Sequence, residues 1–244
     1  MQLGLAACVF RSVEILAVAR TCGFDFLLAD MEHGAMSLGE VSAICVAGIE
    51  AGYPVFVRAP GPSSELLSRI VDCGAAGLVV PHVNSAVQAR AVVQRVRFAP
   101  VGARSIPSPI AIAGFRPVPP SDLIARCEPA LSVLVMIESA DALAAVDEIA
   151  NVAGIDGLVI GTNDLAQSLG LTGRLDHPHM RAACATVANA AANAGRRYGA
   201  MGLPEALLDS HARALGADWI VAANEINLLI EAGDACVARL RPNP

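Results

Sequence analysis

The chain has 244 residues, of which 55% are hydrophobic, 4% aromatic and 16% charged, a length that suits one α/β barrel as well as two small domains. No apolar run reaches the roughly 18 residues of a membrane-spanning helix, and a formal charge of −6 argues against a general nucleic-acid binder. At the amino terminus a short apolar stretch without a basic region meets Arg11, so Leu3–Cys8 reads as a strand and not as a secretory signal. Further strands are predicted at Phe26–Asp30, Val55–Arg58, Leu78–Pro81, Ser132–Ile137, Gly157–Gly161, Tyr198–Met201 and Trp219–Ala223. They are rich in Val, Leu and Ile with little polar alternation, the pattern of parallel strands covered on both faces. Helical patterns fill the gaps, at Ser12–Thr21, Leu38–Glu50, Ser63–Cys73, Val87–Val96, Asp141–Ala150, Met180–Ala194, Pro204–Leu215 and Asn227–Leu240.

A degenerate joint recurs before every second strand: Cys22-Gly23-Phe24-Asp25, Cys73-Gly74-Ala75-Ala76, Ala153-Gly154-Ile155-Asp156 and Leu215-Gly216-Ala217-Asp218. Each glycine falls where a helix ends and positive φ is favoured. A unit returning every second strand suits a closed eightfold ring better than an open doubly wound sheet. The expected architecture is therefore a single (β/α)8 TIM barrel over residues 1–244. Between strands four and five the rhythm breaks, and the Pro-rich run from Pro100 to Pro120 reads as an extended loop at one face of the barrel.

The seven cysteines are widely spaced and form no C-x-x-C pair. They read as reduced and structural, which suggests the cytoplasm. All 17 basic residues are arginine. Without lysine there is no amine for a Schiff-base aldolase or a pyridoxal-phosphate imine, and no Walker-type phosphate loop. Carbanion chemistry here must use another electron sink.

In such a barrel the chemistry sits at the carboxyl ends of the strands. The polar residues there are Asp30, Glu32 and His33 after strand two, Arg58 at strand three, His82 after strand four, Glu138 after strand five, Thr162, Asn163 and Asp164 after strand six, and Asn224 and Glu225 after strand eight. Glu138 and Asp164, on consecutive strands, suit an oxygen-rich Mg²⁺ or Mn²⁺ site; each also suits the first turn of a helix. Gly161-Thr162-Asn163-Asp164 is a small turn opening a helix, with amides able to hold a carboxylate. Arg58 can donate two hydrogen bonds to an enolate oxygen or serve a rim salt bridge. His33 can move a proton near neutral pH, act as a further metal ligand, or simply be a satisfied loop histidine.

These segments, in order and spacing, resemble the HpcH/HpaI aldolases, class II pyruvate aldolases that include 4-hydroxy-2-oxoheptanedioate aldolase and 2-dehydro-3-deoxyglucarate aldolase. The carrying stretches are Gly23 to His33, Val57-Arg58, Val71-Asp72-Cys73-Gly74, Val80-Pro81, Pro100 to Arg104, Val135 to Glu138 and Ile160 to Leu165. The resemblance runs from about Leu3 to Leu240. It implies a barrel of the phosphoenolpyruvate/pyruvate-domain type that cleaves a 4-hydroxy-2-oxo acid reversibly to pyruvate and an aldehyde through a metal-stabilised enolate. It implies a divalent metal (Mg²⁺, Mn²⁺ or Co²⁺) on Glu138 and Asp164, and Arg58 polarising the keto oxygen. It further implies that His33 is the acid/base working with a metal-bound water, with Asp72 orienting it. Gly161, Thr162, Asn163 and Asp164 would bind the pyruvate carboxylate, and Arg104 would contact the aldehyde-derived half. A cytoplasmic homo-oligomer, a hexamer with exchanged carboxyl-terminal helices, is also implied, with Leu228, Leu229, Ile230 and Leu240 as the apolar face.

The chain departs from the family pattern at Met136, where Gln is common, at Ser105 and Ile106 after Arg104, at His82, where an apolar residue is usual, and at Asn224, where Asp is common. A citrate-lyase-like or malyl-CoA-lyase-like enzyme acting on a CoA thioester is the alternative reading, and a barrel that only binds small oxo acids is a third.

Overall fold

A computed structural model describes residues 1–107 and 109–241 of the chain. Eight parallel strands close in sequence order into a barrel: β1 (Gln2–Ala7), β2 (Phe26–Asp30), β3 (Val55–Arg58), β4 (Gly77–Val80), β5 (Ser132–Ile137), β6 (Gly157–Gly161), β7 (Arg197–Met201) and β8 (Trp219–Asn224), with β8 pairing back onto β1. The expected strands are all present, four of them with the predicted bounds, because strands buried on both faces must be written as continuous apolar runs.

The helices follow the expected order with local differences. Leu38–Ala51 is closed at its start by a Ser37–Glu40 capping box and at its end by Gly52 at φ +61°. The stretch 204–215 is broken into the short turns Glu205–Leu207, Leu208–His211 and Arg213–Leu215. A helix at Pro120–Ala130 was hidden by the Pro-rich run that precedes it. Its prolines occupy tolerated places: Pro120 opens the first turn, where no amide partner is needed, and Pro129 lies in the last turn. Leu123 and Cys127, one turn apart, pack with Phe98, Ile110 and Ala113, so this excursion carries a small core of its own.

The glycines of the recurring joint, Gly23, Gly74, Gly154 and Gly216, all have positive φ, between +75° and +95°. The joint also carries a hydrogen-bonding device. Asp25, Asp156 and Asp218 each accept the amide of a residue near the start of the preceding strand, Leu3, Val133 and Tyr198 respectively, at 2.6–2.9 Å. In the second unit Ala76 replaces the aspartate, and only backbone bonds remain there, from its amide to the Val55 carbonyl and from the Ser132 amide to its carbonyl. These contacts tie neighbouring strands together at their amino ends.

Side chains alternate along each strand, so every second residue faces the interior. The inner cluster contains Ala6, Phe26, Leu28, Phe56, Val79, Leu134, Met136, Val159 and Trp219. Phe26 stacks on Phe56 at 4.9 Å, and both meet Trp219 edge-on, filling the amino-terminal end. Glycines on facing strands make that possible: a Cβ would lie 2.2 Å from the Phe26 ring at Gly4 and 2.4 Å from the Trp219 ring at Gly199. The same period carried upward from Phe26 and Leu28 reaches Asp30, and from Leu134 and Met136 reaches Glu138. Acidic groups thus arrive at the last inward position, on the carboxyl rim, while at the opposite end Arg197 donates to the Ser132 hydroxyl at 2.6 Å.

Gly199→Ala is expected to cost about 1–3 kcal/mol by overpacking. The single tryptophan, Trp219, reports it directly: urea unfolding followed by fluorescence should give a lower midpoint and an altered native emission spectrum.

Candidate active site

Asp30 and Arg58 are register partners on β2 and β3. The Arg58 guanidinium donates from Nε to Asp30 Oδ1 at 2.9 Å and from Nη2 to Oδ2 at 2.6 Å, a planar fork on a carboxylate that is wholly buried. Asp30 Oδ1 also accepts the amides of Glu32, at 3.0 Å, and His33, at 3.4 Å, which fixes the turn leaving the strand. Burial by itself would raise the Asp30 carboxyl. The hydrogen bonds and charge of Arg58, with the two amides, outweigh it and hold the group below its ordinary value.

A chain of acidic and basic side chains in contact runs on from this pair. Arg58 Nη1 lies 3.0 Å from Glu32 Oε2 without the alignment of a hydrogen bond, so that buried oxygen has no donor. Glu32 Oε1 is 2.7 Å from His82 Nε2. His82 Nδ1 is 3.1 Å from Glu138 Oε1, and the His82 amide donates to the same oxygen at 2.6 Å. Burial pushes the Glu138 carboxyl up; the amide and ring of His82 pull it down, and the charges of Glu32 and Asp164 raise it again. The other Glu138 oxygen rests against Gly161, where a Cβ would stand 2.6 Å away. Only glycine leaves the carboxylate this position.

The rim opens into a cleft of about 690 Å³ whose lining includes His33, Arg58, Gly161, Thr162, Asn163 and Asp164. The structure therefore gathers most of the residues picked out in the sequence. Thr162 is fixed by its hydroxyl, which donates to the Met201 carbonyl at 3.0 Å. The His33 ring is largely exposed and stands 3.9 Å from Glu32 Oε1, beyond hydrogen-bond reach. Met136 lies buried beneath the mouth. Cys8 also faces the cleft and donates its thiol to Asp30 Oδ2 at 3.6 Å. Burial, with the charges of Asp30 and Glu225, pushes this thiol up to about 12, so it is a neutral donor and not a nucleophile.

Three of the residues named from the sequence, Asp72, Arg104 and Glu225, do not line the cleft. Asp72 does not meet His33 within this chain: its carboxylate is paired with the buried guanidinium of Arg104. Nor does Arg104 enter the cleft; its guanidinium also covers the Phe98 ring at 4.6 Å. The reason is topological: Asp72 ends the return helix Leu67–Asp72 and Arg104 follows the return helix Ala86–Val96, and such helices lead toward the amino ends of the strands. Glu225 is the third. It is a structural group, accepting the amides of Cys8, Val9 and Phe10 on one oxygen and so shaping the loop after β1. Neighbouring Asn224 caps the last helix by accepting the Asn227 amide.

Asp30, Glu32 and His82 were visible as polar rim residues, but their partnerships were not. Strand register could have paired Asp30 with Arg58. Nothing local marks His82, whose φ of +57° turns its ring over the mouth.

Glu32, His82 and Glu138 each offer one ligand atom within 4.8 Å of the others. Two carboxylates, one with a buried oxygen lacking a donor, and an imidazole form a donor set suited to a divalent cation.

Fold and rim together define a (β/α)8-barrel protein with an acidic, cation-ready mouth held beside a fixed arginine. The chain belongs to the HpcH/HpaI aldolase/citrate lyase family, whose profile matches residues 10–229. A 4-hydroxy-4-methyl-2-oxoglutarate aldolase of Hapsidospora irregularis is 36% identical over 219 residues, covering 88% of this chain and 81% of that protein. A 4-hydroxy-2-oxo-heptane-1,7-dioate aldolase of Klebsiella pneumoniae is 34% identical over 244 residues, covering 99% and 89%. The crystal structure of an HpcH/HpaI aldolase from Desulfitobacterium hafniense superimposes with a TM-score of 0.92 at 25% identity, covering 100% of this chain and 93% of that one. Among the described residues no helix is long and apolar enough to cross a membrane.

Because the folded Asp30 carboxyl lies below its unfolded value of 3.8, the pair with Arg58 stabilises fully above about pH 4 and is lost as pH falls through the folded value. Asp30→Asn should cost roughly 3–5 kcal/mol at neutral pH, since it removes the anion from a buried bidentate pair. Urea unfolding of both proteins from pH 7 to pH 2.5 should show this gap narrowing only below about pH 4.

Proposed function

We propose that the chain is a carbon–carbon lyase, a class II pyruvate aldolase that cleaves a 4-hydroxy-2-oxo acid reversibly to pyruvate and an aldehyde. The observation that carries this reading is the Arg58 guanidinium, locked by Asp30 at the mouth of the cleft beside a carboxylate cluster suited to a cation. Aldol cleavage needs fixed positive charge where an enolate oxygen forms, and a chain without lysine cannot supply it through an imine.

Glu138 and Asp164 would hold a divalent cation, Mg²⁺, Mn²⁺ or Co²⁺. Such an ion supplies Lewis-acid charge to the carboxylate and keto oxygens of a 2-oxo acid. Arg58 uses Nε and Nη2 on Asp30, and Nη1, beside Glu32, carries N–H groups that can meet the keto oxygen. Since Asp30 sets the plane of the fork, no reorganisation is needed when negative charge develops. The turn Gly161 to Asp164 receives the substrate carboxylate. His33, exposed at the mouth, accepts the C4 hydroxyl proton as the C3–C4 bond breaks and returns a proton to C3 of the enolate. The Cys8 thiol donates to Asp30 Oδ2 and takes no covalent part.

In this reading residues 1–244 form one aldolase domain of the phosphoenolpyruvate/pyruvate-domain type, working in the cytoplasm as a homo-oligomer. The exposed Leu228, Leu229, Ile230 and Leu240 on the last helix support the association.

Hydrogen exchange at C3 of pyruvate in deuterated water tests the enolate chemistry apart from the identity of the aldehyde. The wild type should exchange, and Arg58→Ala should be slower by on the order of 10²–10³ while keeping its circular dichroism. Wild-type exchange in that variant would overturn the role of Arg58, and no exchange by the wild type would leave an oxo-acid binder. Exhaustive chelation should abolish exchange, with Mg²⁺, Mn²⁺ or Co²⁺ restoring it. Cleavage of acyl-CoA thioesters in preference to free 4-hydroxy-2-oxo acids would move the assignment to the citrate-lyase side of the family.

A further inference from the structure

We propose that His82 is a nitrogen ligand of the divalent cation, bound through Nδ1 beside Glu138 and oriented by Glu32, so that this site favours Co²⁺ over Mg²⁺. The inference rests on the reading that a cation binds at the rim, and it adds a donor that reading does not contain.

The distances fit coordination. Two donors bound side by side on an octahedral ion at about 2.1 Å stand about 3 Å apart. His82 Nδ1 and Glu138 Oε1 are separated by 3.1 Å. The His82 amide holds that same Glu138 oxygen at 2.6 Å, so the two donors are fixed to one another by the backbone. On the far side of the ring Nε2 lies 2.7 Å from Glu32 Oε1. A carboxylate there accepts the Nε2 proton, leaves the Nδ1 lone pair free and fixes the plane of the ring, the usual outer partner of a metal-bound histidine. Glu32 is held in turn by the charge of Arg58, whose Nη1 lies 3.0 Å from its second oxygen. The backbone at His82 takes φ +57°, a region a residue with a Cβ rarely adopts, and this turn aims the ring over the mouth.

The chemical consequence is selectivity. Carboxylate and water oxygens alone suit Mg²⁺, whereas one imidazole moves the balance toward later divalent ions, of which Co²⁺ takes octahedral mixed N/O ligands readily.

Electron spin-echo modulation of the Mn²⁺-loaded protein tests direct coordination. A ¹⁴N coupling is expected in the wild type, converted to the ¹⁵N pattern after labelling with ¹⁵N-histidine. It should persist in His33→Gln and vanish in His82→Gly, where glycine suits the positive φ, and return when imidazole is added. Calorimetric titration with Co²⁺ and with Mg²⁺ should show the Co²⁺/Mg²⁺ affinity ratio at least tenfold lower in His82→Gly. Mn²⁺ binding without a coupled nitrogen, or a coupling lost in His33→Gln, would overturn the role of His82 while leaving the cation site intact. Failure of the wild type to bind either ion would overturn this inference together with the reading beneath it. Should His82→Gly not fold, ¹⁵N labelling with the His33→Gln protein still decides the question.

Discussion

The fork between Asp30 and Arg58 is the constraint around which the rim is arranged. Its anion is wholly buried and its cation nearly so. Neither would survive there alone, because an unpaired charge in a barrel interior is far more costly than the pair. The pair is bidentate, in register across adjacent strands, and supported by two amides of the following turn. Arg58 therefore cannot swing away, and the loop bearing Glu32 and His33 leaves β2 in one direction.

From that fixed point acidic and basic side chains alternate outward: Asp30, Arg58, Glu32, His82, Glu138. Each acidic group has a basic neighbour, which is how a cluster of carboxylates persists at the top of an apolar barrel. The arrangement is incompletely neutralised, however. One Glu32 oxygen has no donor and Glu138 is pushed up by burial, with the charges of Glu32 and Asp164 adding to the rise. A cation bound at the mouth would offset these acidic charges together. The layering below supports such a rim, since aromatic rings accommodated by small facing residues fill the barrel beneath it.

The positions of the strands were legible because a strand buried on both faces has no freedom to be polar, and the doublet rhythm was legible from the glycine joints. The Pro120–Ala130 helix was not, because its prolines read as breakers when their position within the helix is unknown. At the site, the residue types at the strand ends were readable one strand at a time. Resemblance carried Asp72 and Arg104 into the chemistry; in the folded chain they satisfy one another away from the mouth.

By itself the sequence determined the barrel, the end of it that carries polar groups, and the absence of any amine for imine chemistry, since all three follow from local pattern or composition. Tertiary structure alone decided which polar groups meet: Asp30 with Arg58, Asp72 with Arg104, and His82 between Glu32 and Glu138. Those pairings join residues brought together by strand register, ring closure and one left-handed backbone turn. Charge complementarity within a sequence permits many matches, and only geometry selects among them.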